Sequence, residues 1–425
     1  MKTKVAKTNF ILLTILALLA LVLCVVSFDI PWTTSTFNGF AKSMNLGLDF
    51  GDGVSAIYSV SNDDFYSKST DAMATDAVSI IQKIIDDMYG DGKAEVLQDN
   101  KVKLTLPDKS IPNSVLLTSL EMKAASGEEA ETYVTGGDIK KVEYRMNGTT
   151  HGVYITFTKE GKTKFANLTR EASSGNGIYI YLNRDYSSSV QPISISEEIT
   201  TGYVFLSSSS KSAAQEYAKQ LNNTRYGLNL TLEGSVVTVH SNFAAWQKIV
   251  FAVLSCLLLV GSFVFLIVKH RHLGLIASLC LLIMAEISVI AFSLIPQIRL
   301  TFVSYLGMVL GYVLAFAVME YILNSSAHEY ACGKKLPASL KTGYSKAAWS
   351  VVDILVVAMI ISLVSFIFGN VTFTSFFAPI SIMLISIALC MLGLYRWFVY
   401  MYLSINPGKA KYVNFVRKEG VDEIK

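Results

Sequence analysis

Residues 249–292 read IVFAVLSCLLLVGSFVFLIVKHRHLGLIASLCLLIMAEISVIAF, two apolar runs parted only by Lys269, His270, Arg271 and His272. A helix needs ~20 apolar residues to cross ~30 Å of hydrocarbon. Two such runs joined by a cationic tetrapeptide predict a helical hairpin in a membrane. Working outward, six segments qualify as spans: 9–28, 246–268, 273–295, 301–323, 348–368 and 373–398. The first includes FILLTILALLALVLCVVSF at 10–28, a run whose only polar residues are Thr14 and Ser27. That run exceeds the ~7–15 apolar residues of a cleaved signal, and no small-x-small site follows it.

Composition agrees. The chain is 52% hydrophobic and 16% charged, where soluble domains carry about 25% charge. Lys and Arg set orientation, because they favour cytoplasmic loops. Lys2, Lys4 and Lys7 precede the first span, Lys269 and Arg271 follow the second, and Lys334, Lys335, Lys341 and Lys346 fill the 324–346 loop. The expected layout has residues 1–8 and the tail 405–425 in the cytoplasm, 29–243 outside, and a five-helix bundle over 244–404. The outer stretch holds 19 Lys and Arg against 26 Asp and Glu, and the remaining chain 17 against 7. The formal charge of +3 therefore reflects membrane sidedness and points to no nucleic-acid partner. All five cysteines fall in spans or the 324–346 loop, so the outer domain must hold together without disulfides.

Within that domain, VSAIYSV at 54–60 alternates like a half-buried strand. Residues 71–89 switch to helical spacing, with Met73, Ala77, Ile81, Ile84 and Met88 on one face and Ser69 to Asp71 offering cap chemistry. Strands AEVLQ and KVKLTL follow, joined through Asp99-Asn100. This β-α-β-β order suits a ferredoxin-like layer. The reading is an α+β domain with a base of residues 36–109 and 207–240 and an inserted head of 110–206. The serines at 207–210 read as a hinge between head and base, or as an ordinary turn into a helix.

No phosphate-binding glycine loop, paired CxxC, HExxH or GxSxG is present, and no enzyme is expected. Neither a cofactor nor a metal is expected. His270 and His272 read as contacts to water or lipid head groups. Three acids fall inside spans: Glu286 midway along the third, Glu320 near the cytoplasmic end of the fourth, and Asp353 near the start of the fifth. An ionised group at the bilayer centre costs at least ~2.5–3.5 kcal/mol, so such residues usually face a bundle interior and serve a path. The three are candidate proton-relay groups; an interfacial acid is the other reading of each. The glycines of LGLDFGDG at 46–53 permit a sharp turn just before a strand.

That segment, through Leu46, Gly47, Leu48, Asp49, Gly51 and Gly53, resembles the LGLDLxGGV segment outside the first span of SecD proteins. TGGDIKKV at 135–142, EGKTKFANLTRE at 160–171, RHLGLIA at 271–277 and GKKLPASLKTGYSKAAWSVVD at 333–353 resemble further SecD segments, in the same order. The resemblance implies an RND-like membrane subunit that partners SecF and the SecYEG channel in membrane lipid. It implies use of the proton gradient, without a cofactor, to assist export of unfolded secretory polypeptides held by the outer head. An exporter of lipid or small molecules from the same superfamily is the alternative, and a membrane-anchored binding or sensor protein a third. One departure bears on coupling: the family's fourth-span DAN triplet falls on Ala317, Val318 and Met319. Glu320 lies three residues on, where it is expected to face the third and fifth spans near Asp353. The Thr pair after the fifth-span Asp is replaced by Val357 and Ala358.

Overall fold

A computed structural model describes residues 3–32, 35–69, 72–174, 177–187, 192–295, 298–406 and 413–417. Two compact units emerge, Met1–Gly51 with Ser241–Lys425, and Asp52–His240. Parts of the 1–8 and 405–425 segments lie outside the described residues, as do Thr70 and Asp71.

The chain enters through α1 (Thr3–Val25), followed by the two-residue strands β1 (Phe28–Asp29) and β2 (Thr36–Phe37). The Asp52–His240 unit begins with β3 (Gly53–Asn62), α2 (Met73–Tyr89), β4 (Lys93–Leu97) and β5 (Lys101–Leu106). Its head adds β6 (Leu120–Lys123), β7 (Thr132–Thr135), β8 (Ile139–Asn147), β9 (Thr150–Phe157), α3 (Lys159–Ser173), β10 (Tyr179–Leu182) and β11 (Tyr203–Ser207). It closes with α4 (Lys211–Asn223) and β12 (Leu228–Val239).

The base sheet runs β12-β3-β5-β4, antiparallel throughout. That is the ferredoxin-like order. Alternation builds it: Val54, Ala56, Tyr58 and Val60 of β3 point into a core shared with Ile81 and Ile85 of α2. Asp99 and Asn100 both take positive φ in the β4–β5 turn, which matches the twist of the flanking strands.

Two assignments change. The helix α4 belongs to the head, since Ala214, Ala218 and Leu221 pack with Val153, Ile155 and Leu168 of β9 and α3. Only β12 returns to the base. Ser207–Ser210 consequently link two head elements, β11 and α4, and the Ser210 hydroxyl caps α4 by accepting the Ala213 N–H at 3.2 Å. At α2 the N-cap is Ala72, which contributes no side-chain bond.

Two of the SecD-like segments meet inside the head. The Asp138 carboxylate accepts the Thr135 N–H at 3.0 Å and pairs with Lys164 of α3 at 2.8 Å. A Cβ at Gly161 would strike the Asp138 carbonyl, so that position needs glycine for close approach.

A buried ion cluster fastens β6. Lys123, with its side chain 2% exposed, bonds the Glu128 carbonyl at 2.8 Å and the Glu121 carboxylate at 3.1 Å. Tyr186 donates to Glu121 at 2.8 Å, and Arg184 reaches both Glu121 and Asp63. Burial raises the Glu121 pKa, but the Tyr186 hydroxyl, Lys123 and Arg184 outweigh it and hold the group below the usual carboxylate range. A carboxyl so depressed contributes stability above its unfolded pKa and loses it as pH falls through the folded value. Lys123→Met is expected to cost about 3 kcal/mol by leaving Glu121 half-paired, and to flatten the acid limb of the melting profile. A thermal melt of the full chain in detergent against pH checks both.

The remaining elements are α5 (Ala245–His270), α6 (His272–Leu294), α7 (Phe302–Ala331), α8 (Leu336–Phe368), α9 (Val371–Ile387) and α10 (Tyr395–Ile405), with a π-turn at Ala388–Leu394. With α1, and with α9 to α10 taken as one, they make six helices among the described residues that are long and apolar enough to cross a membrane. The predicted 324–346 loop is largely helix: α7 and α8 run past the apolar stretch, and only Cys332–Lys335 links them. Hydropathy locates the apolar stretch of a helix and is blind to polar turns that continue it. Small residues and interhelical hydroxyl bonds hold the bundle, as expected where lipid removes the hydrophobic drive. Ser262 bonds the Tyr312 hydroxyl at 2.6 Å, and Ser362 bonds Ser381 at 2.8 Å.

Candidate functional site

The segment ending at Gly51 ties the N-terminal ends of α5 and α7 to the chain leaving α1. Leu46 bridges Leu300 in parallel, and Gly47 donates to the Leu300 carbonyl at 3.0 Å. Gly51 turns back on Gly47, where a Cβ would press on that of Leu46 at 2.8 Å. The Leu48 carbonyl accepts from Asn242 and that of Asp49 from Phe243. The Asp49 carboxylate accepts from the Asn242 side chain at 2.9 Å and from the Phe302 N–H at 2.8 Å. That last bond sets a negative charge on the first turn of α7, complementing its dipole. Phe50 packs on Phe243, Phe251 and Tyr305. Gly53 opens β3 opposite Val239. These residues form a clasp, and Asp49 acts in it as a helix cap.

Glu286, midway along α6, is 5% exposed. Its Oε1 is buried with no hydrogen-bond partner among the described residues. A carboxylate buried without partners is costly as an anion.

Glu320 has a different neighbourhood from the one its spacing suggested. Its carboxylate pairs with Lys269, accepts from Asn324 at 2.9 Å and meets the His270 Nε2 at 3.0 Å. It therefore turns toward α5. His270 is 3% exposed, so its ring is buried against Glu320 rather than directed at water or lipid. The KHRH tetrapeptide carried that signal, since the C-terminal end of the second span must lie level with an acid near the C-terminal end of the fourth. Arg271 joins α5 to α6 at φ 51°, and a Cβ at Gly274 would run into the Leu266 carbonyl. The glycine of RHLGLIA is thus what lets the two helices close into a hairpin.

Asp353 lies on α8 on an exposed face that includes Ile354, Val357 and Ile361. No hydrogen bond or ion pair joins it to Glu286 or Glu320 among the described residues. Sequence reasoning missed a fourth: Glu329, with its side chain 8% exposed, bonds Lys334 at 2.6 Å and Lys346 at 2.5 Å across the α7–α8 turn. An acid followed by two lysines around a four-residue link was the available signal. Among the described residues no group of three or more His, Cys, Asp or Glu could hold a metal ion.

No family model matches the chain. The protein translocase subunit SecD of Prochlorococcus marinus is 27% identical over 269 residues, 60% of this chain and 53% of that protein. SecD of Synechocystis is 27% identical over 232 residues, covering 53% of this chain and 48% of its own. The chain thus matches about half the length of these two relatives. SecD of Dictyoglomus turgidum is 26% identical over 328 residues, 74% of this chain and 78% of that protein. A crystal structure of SecDF in its super-membrane-facing form superposes with a TM-score of 0.68 over 96% of this chain and 58% of its own, at 18% identity. In sequence over as much as 74% of its length, and in fold over 96%, the chain is a SecD-like multi-pass membrane protein.

Proposed function

We propose that the chain is a non-enzymatic accessory subunit of protein translocation, drawing on the proton gradient to help secretory polypeptides across a bacterial plasma membrane. The observation that carries this reading is the continuity of the likeness, through both units, to proteins named as translocase subunits. This chain aligns with 58% of the SecDF chain. A SecF-like membrane partner is proposed to supply the rest, and a SecYEG-type channel the route. The exposed apolar side of α8 supports such a partner, and it carries Asp353. Glu286 is the proposed proton-exchanging group. Glu320, paired with Lys269 and His270, is proposed to hold the inner ends of α5 and α7 in register.

The reading requires residues 52–240 outside the cell and the α7–α8 turn inside. Export of a pulse-labelled secretory protein should slow when the chain is depleted and recover on re-expression. Thr150→Cys should label with an impermeant reagent in intact, wall-stripped cells and Lys335→Cys should not, once the exposed Cys256 and Cys332 are replaced by serine. Unchanged export on depletion, or the reverse labelling, refutes it.

A further inference from the structure

A groove of about 650 Å³ opens between the first half of α8 and α10. That is within the ~300–1,000 Å³ of ordinary ligand sites. Its walls are largely apolar, including Leu340, Val352, Leu392 and Leu403. Among the described residues the only charged ones lining it are Lys341 and Arg396, and no acid lines it from either helix. Neither cation has an ion pair among the described residues, in contrast to Lys269, Lys334 and Lys346, which all do.

The position makes the pair costly unless something answers it. Lys341 is in the second turn of α8, whereas Arg396 stands nine residues before the end of α10. At 1.5 Å per residue, that sets Arg396 about 13 Å inside the helix end. Within a membrane-spanning segment a cation without an ion-pair partner is unfavourable, and such cations pair with something. At the rim stand Trp349, 73% exposed, and Tyr400, 54% exposed, residue types that gather at head-group level. On the floor, Tyr344 bonds the Leu392 carbonyl in the π-turn, while the buried Tyr395 hydroxyl has no partner among the described residues. Two unanswered cations, an aromatic rim and an apolar floor open to the side of a membrane bundle match one chemistry.

We propose that this groove binds an anionic phospholipid, with its phosphate held by Lys341 and Arg396 and one acyl chain lying along Leu340, Val352, Leu392 and Leu403. The leaflet is the one that meets the α7–α8 turn. A helix from a partner protein is the competing occupant. It would need its own acid to answer the two cations, and it would leave the rim aromatics no head-group layer to meet.

The test uses the full chain in nanodiscs of phosphatidylcholine with an equal part of phosphatidylglycerol, and native mass spectrometry reads the lipid that stays bound. The parent chain should retain phosphatidylglycerol over phosphatidylcholine by about 30-fold, the preference expected of two cations near a bilayer surface. Removing both charges, with Lys341→Gln and Arg396→Gln together, should bring the ratio close to one with an unchanged melting temperature. Ala348→Trp, which fills the groove, should reduce retention of both lipids. A photoreactive residue at 348 should crosslink to lipid in native membranes. An undiminished preference in the double variant, or crosslinking from 348 to protein alone, overturns the proposal. None of these readouts involves export, so failure here leaves the translocation reading standing.

Discussion

Gly343→Leu is expected to remove most of the folded membrane unit. Ser339, Gly343 and Ala347 recur every fourth residue along α8 and are all buried, and the stripe packs against Ser326 of α7, which is 1% exposed. A Cβ at Gly343 would meet the Ser326 Cα and its N, both backbone atoms. A rotamer change cannot relieve that contact, so the helices must part. Overpacking a core costs about 1–3 kcal/mol and occasionally more, and an obstacle made of backbone belongs at the upper end. Parting α7 from α8 would also strain the Glu329 bonds to Lys334 and Lys346. Size-exclusion profiles and thermal melts in detergent should show little monodisperse protein for Gly343→Leu and a smaller loss for Gly343→Ala. A leucine variant that melts with the parent would mean that α7 and α8 do not pack as described.

The second large effect is functional. Glu286→Gln should leave the fold intact, because the amide matches the acid in size and a neutral group already suits that buried site. Export should nonetheless fall to the rate seen without the protein, and collapsing the proton gradient should slow it no further. Glu286→Asp should retain part of the gradient dependence. Glu320→Gln should behave differently: it removes the carboxylate charge that pairs with Lys269 and weakens the contact to the buried His270, so stability should fall along with export. Melting temperature and export rate, measured together on each variant, separate the two roles. Normal gradient dependence in Glu286→Gln would remove it from the proton path.

The sequence made the six spans legible because ~20 apolar residues have few other uses. The base sheet was legible as well, since VSAIYSV alternates and Asp99-Asn100 is a turn with a mechanism. What failed was assignment of neighbours. The small apolar face of α4, Ala214, Ala218 and Leu221, identifies a packed helix but not the sheet it packs on. Glu320 shows the same limit: spacing gave its face relative to Ala317, while its partners were fixed by where α5 ends. The segment at 46–53 was recognisable by resemblance, yet its work became clear only with the bond from Phe302 to Asp49, some 250 positions apart in sequence. Contacts of that range leave no local pattern.

If the chain assists translocation as proposed, its head meets polypeptide in transit, and photocrosslinking to a stalled secretory chain in native membranes tests that most directly. Photoreactive residues would replace Met146 and Tyr203, which are 57% and 45% exposed on the head strands. The account predicts crosslinks to the stalled chain that vanish once its transit is completed. A correctly inserted, folded protein whose head crosslinks to no secretory chain, in cells that export normally without it, would contradict the account.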